Sequence, residues 1–354
     1  MVVKVFVVDD SAVVRQALAH MLAGNPEVEL VGTAPNPLLA MEAIRKSMPD
    51  VLLLDIEMPG MDGLTFLRQI MSSNPIPTVI CSTLSTEGSK VALEALSAGA
   101  VSVMAKPKLG LKQYLDDSRR EMIQTLKTAA RSKPRARHQV TEPLAGRSAA
   151  TARGPVLGSV HALAMNKPVV IGSSTGGTQA LELVLTSLPA DAPGIAITQH
   201  MPEKFTAMYA QRLNSICAMA VREAKDGDRL ERGLALIAPG GLHMQLRKSA
   251  GQYYVHVVDG PPVNRHKPSV DVLFKSASEC AGRDALGIIM TGMGDDGARG
   301  MKVLHDHGAR TIAQNEETCV VFGMPKEAIK LQAVDDILPL EQIAKAILQF
   351  DSRA

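Results

Sequence analysis

Tryptophan is absent from this 354-residue sequence, and its four tyrosines and six phenylalanines are few. Its cores must therefore be aliphatic, completed by 18 methionines whose flexible thioethers fill irregular gaps. A dominant charge is also lacking: 38 Lys and Arg face 36 Asp and Glu, a net of +2. That balance argues against a protein defined by affinity for nucleic acid or for an anionic membrane. The four cysteines (Cys81, Cys217, Cys280, Cys319) lie far apart, with no C-x-x-C pair or metal-ligand spacing. They read as buried free thiols in a reducing compartment. No apolar run approaches a membrane span and the start of the chain has no signal-peptide layout, so the expectation is a cytoplasmic protein without membrane insertion.

What is present is a repeated alternation of short apolar runs and helical patterns over a length that suggests two domains, each with enough of the 46% hydrophobic residues for a core. Lys4 to Val8 reads as a strand entering Asp9-Asp10, with Ser11 able to cap a helix bearing Val14, Leu18, Met21 and Leu22. Further strands end at Asp55 (from Val51), at Ser82-Thr83 (from Thr78) and at Lys106-Pro107 (from Val101). Alternating β and α imply a doubly wound parallel sheet, which brings Asp9, Asp10, Asp55, a hydroxyl and Lys106 into one crevice. Adjacent carboxylates need a cation or a solvated loop, and a hard ion such as Mg²⁺ suits them. The set suits phosphoryl transfer to Asp55, with the metal held by Asp10 and Asp55, and with Lys106 and Ser82 or Thr83 binding the product.

Val7-Val8-Asp9-Asp10-Ser11, the stretch from Leu54 to Gly63 (Leu-Asp-Ile-Glu-Met-Pro-Gly-Met-Asp-Gly) and Lys106-Pro107 resemble a two-component receiver domain. The resemblance implies that a histidine kinase phosphorylates Asp55, and that the Glu57 carbonyl completes a metal shell with Asp9, Asp10 and Asp55. The receiver is expected over residues 1–125. A flexible basic linker is expected over 126–160, because the segment from Arg131 to Pro155 has Glu142 as its only acid and too few apolar residues to order itself. A nucleic-acid arm at Arg131, Lys133, Arg135 and Arg137 is disfavoured, since no aromatics are interleaved and no helix-turn-helix pattern follows.

Residues 161–354 read as a second α/β domain with a parallel sheet. In it Val169 to Gly172 is a buried strand, and Gly172-Ser173-Ser174-Thr175-Gly176 fits the G-x-S-x-G turn that lifts a serine hydroxyl clear of the backbone before a helix. The unpaired amides of that helix favour negative charge. A Walker loop is excluded because Gly177 is followed by Thr178 and Gln179 rather than Lys and Ser or Thr. His200, Asp295 and Asp296 also follow strands, so a serine, a histidine and an aspartate gather on one sheet edge, the parts of a hydrolytic triad. His243, His266, His305 and His307 are alternative histidines. The last two give the Ser, Asp, His order of α/β-hydrolases but lie well into a helix, and His200 has the better position. Spacing alone leaves Asp295 and Asp296 open, and an amide near Met293, between Gly292 and Gly294, can join an oxyanion hole.

Gly172 to Gly177, Ile197-Thr198-Gln199-His200-Met201-Pro202, Ala238-Pro239-Gly240-Gly241, Pro262 to Asp271 and Thr291 to Ala298 resemble the catalytic domain of the chemotaxis protein-glutamate methylesterases. With the receiver ahead of it, the resemblance spans nearly the whole chain. It implies Ser174 as nucleophile, His200 as base, Asp296 as orienting acid, and Met293 with Thr175 as oxyanion support. Ser173 departs from the alanine common there. The activity implied is a phosphorylation-activated serine esterase that demethylates glutamyl methyl esters on chemoreceptors and deamidates receptor glutamines, needing no cofactor for hydrolysis. The receiver is expected to cover the Ser174 edge until Asp55 is phosphorylated. The alternatives are a phosphorylation-controlled docking protein without catalysis and a DNA-binding regulator.

Overall fold

The β-branched runs pair as two separate parallel sheets in the computed structural model, which describes residues 2–58, 63–82, 86–106, 112–132, 167–203 and 205–352. In the first half β1 (Val3–Val8), β2 (Val28–Ala34), β3 (Val51–Asp55), β4 (Thr78–Ser82) and β5 (Ser102–Ala105) stand in the order β2-β1-β3-β4-β5. Five helices alternate with them: α1 (Ala12–Leu22), α2 (Pro37–Lys46), α3 (Gly63–Ser73), α4 (Thr86–Ser97) and α5 (Lys112–Arg131). Ser11 caps α1 by accepting from the Val14 amide, and Asn36 caps α2 by accepting from Leu39, with Pro37 opening the helix. Every strand pair is parallel, so Asp9, Asp55 and Lys106 share one edge.

α5 continues to Arg131, past residue 125 where the first domain was expected to end. Leu126 and Ala129 are buried against the sheet, so the helix persists although its sequence turns polar. The basic segment beyond residue 132, including Lys133, Arg135, Arg137 and Glu142, lies outside the described residues. So do Thr83, Pro107 and residues 59–62 of the Leu54–Gly63 motif.

The second sheet has the order β14-β13-β12-β6-β7-β9-β8. Its strands are β6 (Val169–Ser173), β7 (Ile195–Gln199), β8 (Ala220–Glu223), β9 (Leu234–Ile237), β12 (Leu286–Ile289), β13 (Arg310–Gln314) and β14 (Asp336–Leu338). The helices are α6 (Gly177–Thr186), α7 (Phe205–Ile216), α8 (Val270–Cys280), α9 (Ala298–Asp306), α10 (Met324–Lys330) and α11 (Leu340–Asp351). β10 (His243–Ser249) and β11 (Gln252–Val258) form an antiparallel hairpin outside this sheet. β8, β10 and β14 had no clear apolar run, being polar on one face or very short.

Helices α6, α7 and α11 cover one face of this sheet with an aliphatic cluster that includes Leu181, Val184, Leu213 and Ile347, while α8, α9 and the hairpin cover the other. Methionines complete both faces, Met201 and Met290 on one, Met244, Met301 and Met324 on the other. Cys81 and Cys319 are buried as expected, whereas Cys217 and Cys280 are half-buried. Burial holds all four thiols above their ordinary range.

Candidate active site and receiver crevice

The order of the second sheet reverses beside β6: the chain steps to β7 on one side and returns through β12 on the other. Loops at the carboxyl ends of β6, β7 and β12 therefore diverge around one crevice. Ser174 follows β6, His200 follows β7, and Asp296 lies in the loop between β12 and α9. Ser174, Thr175 and His200 line a common cavity.

The turn after β6 is tight because small residues permit it. Gly176 adopts φ +77° as the N-cap of α6. Gly292 allows the β12 loop to approach, since a Cβ there would lie 2.8 Å from Ser174 Cβ and 2.3 Å from Met324 Sδ. The Ser174 amide donates to the Thr291 carbonyl at 3.0 Å, fixing the turn against that loop. Gln199 ties it to β7: its Nε2 donates to the Ser174 carbonyl (2.9 Å) and its Oε1 accepts from Ser173 Oγ (2.7 Å). Ser173 is fully buried and its hydroxyl is engaged. The half-buried Ser174 hydroxyl has no hydrogen-bond partner among the described residues.

His200 Nε2 lies 2.8 Å from Asp296 Oδ2, and its Nδ1 is buried without a partner. Because the carboxylate can only accept, Nε2 carries the proton and Nδ1 a lone pair. Asp296 is fully buried and Asp295 is not. Burial favours the neutral Asp296 acid, yet the hydrogen bond and charge of His200, with Asn264 and Ser269, hold the carboxyl well below the usual range. Asn264 Nδ2 donates to Oδ1 at 2.8 Å, Ser269 Oγ to Oδ1 at 2.7 Å, and the Val270 amide to Oδ2 at 2.7 Å. Gly297, in the left-handed region, takes the N-cap of α9, so neither aspartate is spent as a side-chain cap. Among the described residues the amides of Thr175 and Met293 donate to no group, and both flank the Ser174 turn.

The other histidines fall elsewhere. His243 is buried, with Nε2 on the Pro261 carbonyl and Nδ1 accepting from the Ser269 amide, so both ring nitrogens are used. His305 sits in the last turn of α9 and His307 caps it, both away from the strand ends. His266 stacks on His200 with ring centroids 3.8 Å apart and planes 9° from parallel. Asn264, Ser269 and Gln199 had no assigned role in the sequence, and His266 stood there only as an alternative triad histidine. Their only signal was membership of the Pro262–Asp271 and Ile197–Pro202 motifs, because their roles are contacts made across long separations.

In the first half Asp9, Asp10 and Asp55 offer carboxylate oxygens within 4.8 Å of one another. Lys106 Nζ lies 2.6 Å from Asp55 Oδ2 and 3.2 Å from Asp9 Oδ2. Burial pushes the Asp55 carboxyl up, against the hydrogen bonds of Lys106 and the Glu57 amide, and the charge of Asp9 adds to the rise. Asp9 Oδ2 is buried without a hydrogen bond. Crowded oxygen donors with an excess of negative charge fit a hard divalent cation. Ser82 is buried at the end of β4.

The two halves meet over the serine. Leu96, Val101, Ser102 and Val103 line the cavity that holds Ser174 and His200, which measures only about 50 Å³. Gln179 Nε2 donates to the Leu96 carbonyl at 2.6 Å, and Thr128 Oγ1 contacts Met293 Sδ.

The comparisons agree with this architecture. The model of the CheB methylesterase family matches residues 169–347, and that of the response regulator receiver domain matches residues 5–114. The chain is 56% identical to protein-glutamate methylesterase/protein-glutamine glutaminase 2 of Dechloromonas aromatica, over 98% of each chain. The protein of the same name in Xanthomonas campestris is 56% identical over 97% of this chain and 99% of its own. The crystal structure of the Thermotoga maritima CheB methylesterase catalytic domain superposes with a TM-score of 0.51 at 37% identity, covering 52% of this chain and 98% of that one.

Proposed function

The chain belongs to the CheB methylesterase family, with a response regulator receiver domain ahead of the esterase domain, and from that premise we propose that it is a phosphorylation-activated protein-glutamate methylesterase and protein-glutamine glutaminase. Its substrates in this reading are chemoreceptors, its phosphodonor is a histidine kinase, and its setting is the cytoplasm. One observation carries the chemistry: His200 Nε2 is bound to Asp296 while Nδ1 is buried without a partner, and His200 and Ser174 line the same cavity.

In this mechanism Ser174 Oγ attacks the γ-ester carbonyl carbon and its proton passes to His200 Nδ1. The ionised Asp296 stabilises the imidazolium and keeps the tautomer. The amides of Met293 and Thr175 receive the tetrahedral oxyanion, each such donor being worth about 3–4 kcal/mol in the transition state. His200 returns the proton to the departing methoxide, releasing methanol, or to the amide nitrogen of a glutamine, releasing ammonia. Water, deprotonated at Nδ1, then cleaves the acyl-enzyme and leaves a free glutamate.

In the receiver, Asp9, Asp10, Asp55 and the Glu57 carbonyl would hold Mg²⁺, which neutralises phosphoryl oxygens when bound. Asp55 accepts the phosphoryl group, and Lys106 with Ser82 or Thr83 binds its oxygens. The segment beyond α5, residues 133–160, tethers the two halves in this reading. A helix about 10 Å across cannot enter a cavity of about 50 Å³, so the described arrangement is a closed state. Opening it from mostly closed requires about 5.5 kcal/mol of differential free energy, within reach of a few charge-assisted hydrogen bonds to phosphate.

Methanol release from methylated receptor membranes tests the whole reading. Release should rise with a small phosphodonor and Mg²⁺, and should vanish in Ser174→Ala. No release in either state would instead favour a docking protein without catalysis.

A further inference from the structure

One turn reaches both halves of the His200–Asp296 pair. Val263 and His266 exchange backbone hydrogen bonds, the Val263 amide to the His266 carbonyl (3.1 Å) and the His266 amide to the Val263 carbonyl (2.9 Å). Between them Asn264 (φ 50°) and Arg265 (φ 70°) both occupy the left-handed region, the requirement of a type I′ turn. Arginine is seldom found there, so the neighbouring contacts must hold the turn in place. Asn264 supplies one of them, its Nδ2 bridging Asp271 Oδ2 (2.9 Å) and Asp296 Oδ1 (2.8 Å).

Asp296 is thus a common anchor. His200 hangs from its Oδ2 and the turn hangs from its Oδ1, so the His266 ring is delivered parallel to the His200 ring at 3.8 Å. A stacked plate at that distance leaves no room for water on that face and resists tilting of the imidazole. The remaining exposure of the His200 side chain is 8%. We propose that His266 is a positioning residue for the esterase step: its ring covers one face of His200 and keeps Nε2 on Asp296 and Nδ1 free to take the Ser174 proton. This rests on the triad reading above.

The plate serves only while uncharged, because a cation stacked on His200 would oppose formation of the imidazolium. The titratable and charged groups acting on His266 are His200 from the loop after β7, Asp296 from the loop after β12 and Arg265 from its own turn. Burial, then the charge of His200, push it down to about 4, with Arg265 adding to the fall and Asp296 opposing it. At neutral pH it is a neutral aromatic surface.

The test is kcat and KM for methanol release by the phosphodonor-activated full chain, from about pH 5 to about pH 9, where histidines titrate. His266→Ala should lower kcat about ten- to a hundredfold, the scale of a small misplacement of a reacting group, with KM within about twofold. Its acid limb should move to higher pH, because water reaching the open face favours the protonated ring. His266→Phe restores the plate without a titrating group and should keep kcat within about threefold, with the acid limb unmoved. A His266→Ala enzyme with unaltered kcat and profile, or a His266→Phe enzyme as slow as His266→Ala, would overturn the proposal. If His266→Ala does not fold, His266→Gln replaces it: Phe active and Gln slow supports the plate, and the reverse refutes it. Ser174→Ala separates the two readings, since an active Ser174→Ala protein ends the triad itself. An inert one beside an unaffected His266→Ala ends only this inference.

Discussion

Gln179 Nε2, in the first turn of the helix that follows Ser174, donates to the Leu96 carbonyl of the receiver at 2.6 Å. The bond joins the helix that follows Ser174 to the domain lying over it, so it stabilises only the closed arrangement. Such a bond contributes about 0.5–1.5 kcal/mol net. Gln179→Ala should therefore raise the unphosphorylated rate of methanol release about two- to tenfold while leaving the phosphorylated rate unchanged. An unaltered basal rate would mean that this contact does not hold the closed state.

Ser173 and Ser174 are adjacent hydroxyls with opposite surroundings, one buried and bonded to Gln199, the other open to the cavity. Ser174→Ala should reduce release to background with the fold intact. Ser173→Ala should keep kcat within about threefold and cost about 1 kcal/mol in urea unfolding, since Gln199 Oε1 loses its donor. An inactive Ser173→Ala beside an active Ser174→Ala would reverse the assignment.

Asp296 carries a stability signature that depends on pH. Its folded carboxyl is held well below the usual range by His200, Asn264 and Ser269, against the effect of burial. The stabilisation is therefore fully present above the unfolded value of about 3.9 and is lost progressively as pH falls below it. Asn264→Ala removes one donor and should destabilise the protein by about 1.5–3 kcal/mol at neutral pH, the scale for a hydrogen bond to a charged group. The deficit should narrow toward about pH 3, because the variant's carboxyl, having lost a donor, protonates before the wild type's. Urea midpoints at the two pH values check this; an equal deficit at both would show that the charge on Asp296 is not what Asn264 serves.

Removing divalent cations should separate the two chemistries. With a chelator present, the phosphodonor should no longer accelerate methanol release, because the crowded Asp9, Asp10 and Asp55 carboxylates then face the phosphoryl group unneutralised. The basal rate should not change. Asp55→Asn should behave likewise with the metal present. A basal rate that falls on chelation would contradict the assignment of hydrolysis to side chains alone.

Much of this architecture was legible along the chain. The strand runs at Val169, Ile195 and Leu286, each followed by a turn and then a helical pattern, pointed to a parallel sheet with Ser174, His200 and one aspartate of the Asp295–Asp296 pair on one edge, because period and connection length are local properties. The receiver carboxylates were equally plain, each standing at the end of a buried strand. What the chain left open was decided by contacts between residues far apart in sequence. Asp295 and Asp296 are equivalent in spacing, and only burial beneath Asn264, Ser269 and the start of α8 selects Asp296 as the partner of His200. Ser173 and Ser174 differ only in which one meets Gln199 across the strand pair. The end of α5 followed from burial of Leu126 and Ala129 rather than from its own polar sequence. The stacking of His266 on His200 and the seating of Leu96 over Ser174 had no linear signal at all, since each depends on how rigid elements converge once their apolar faces are buried.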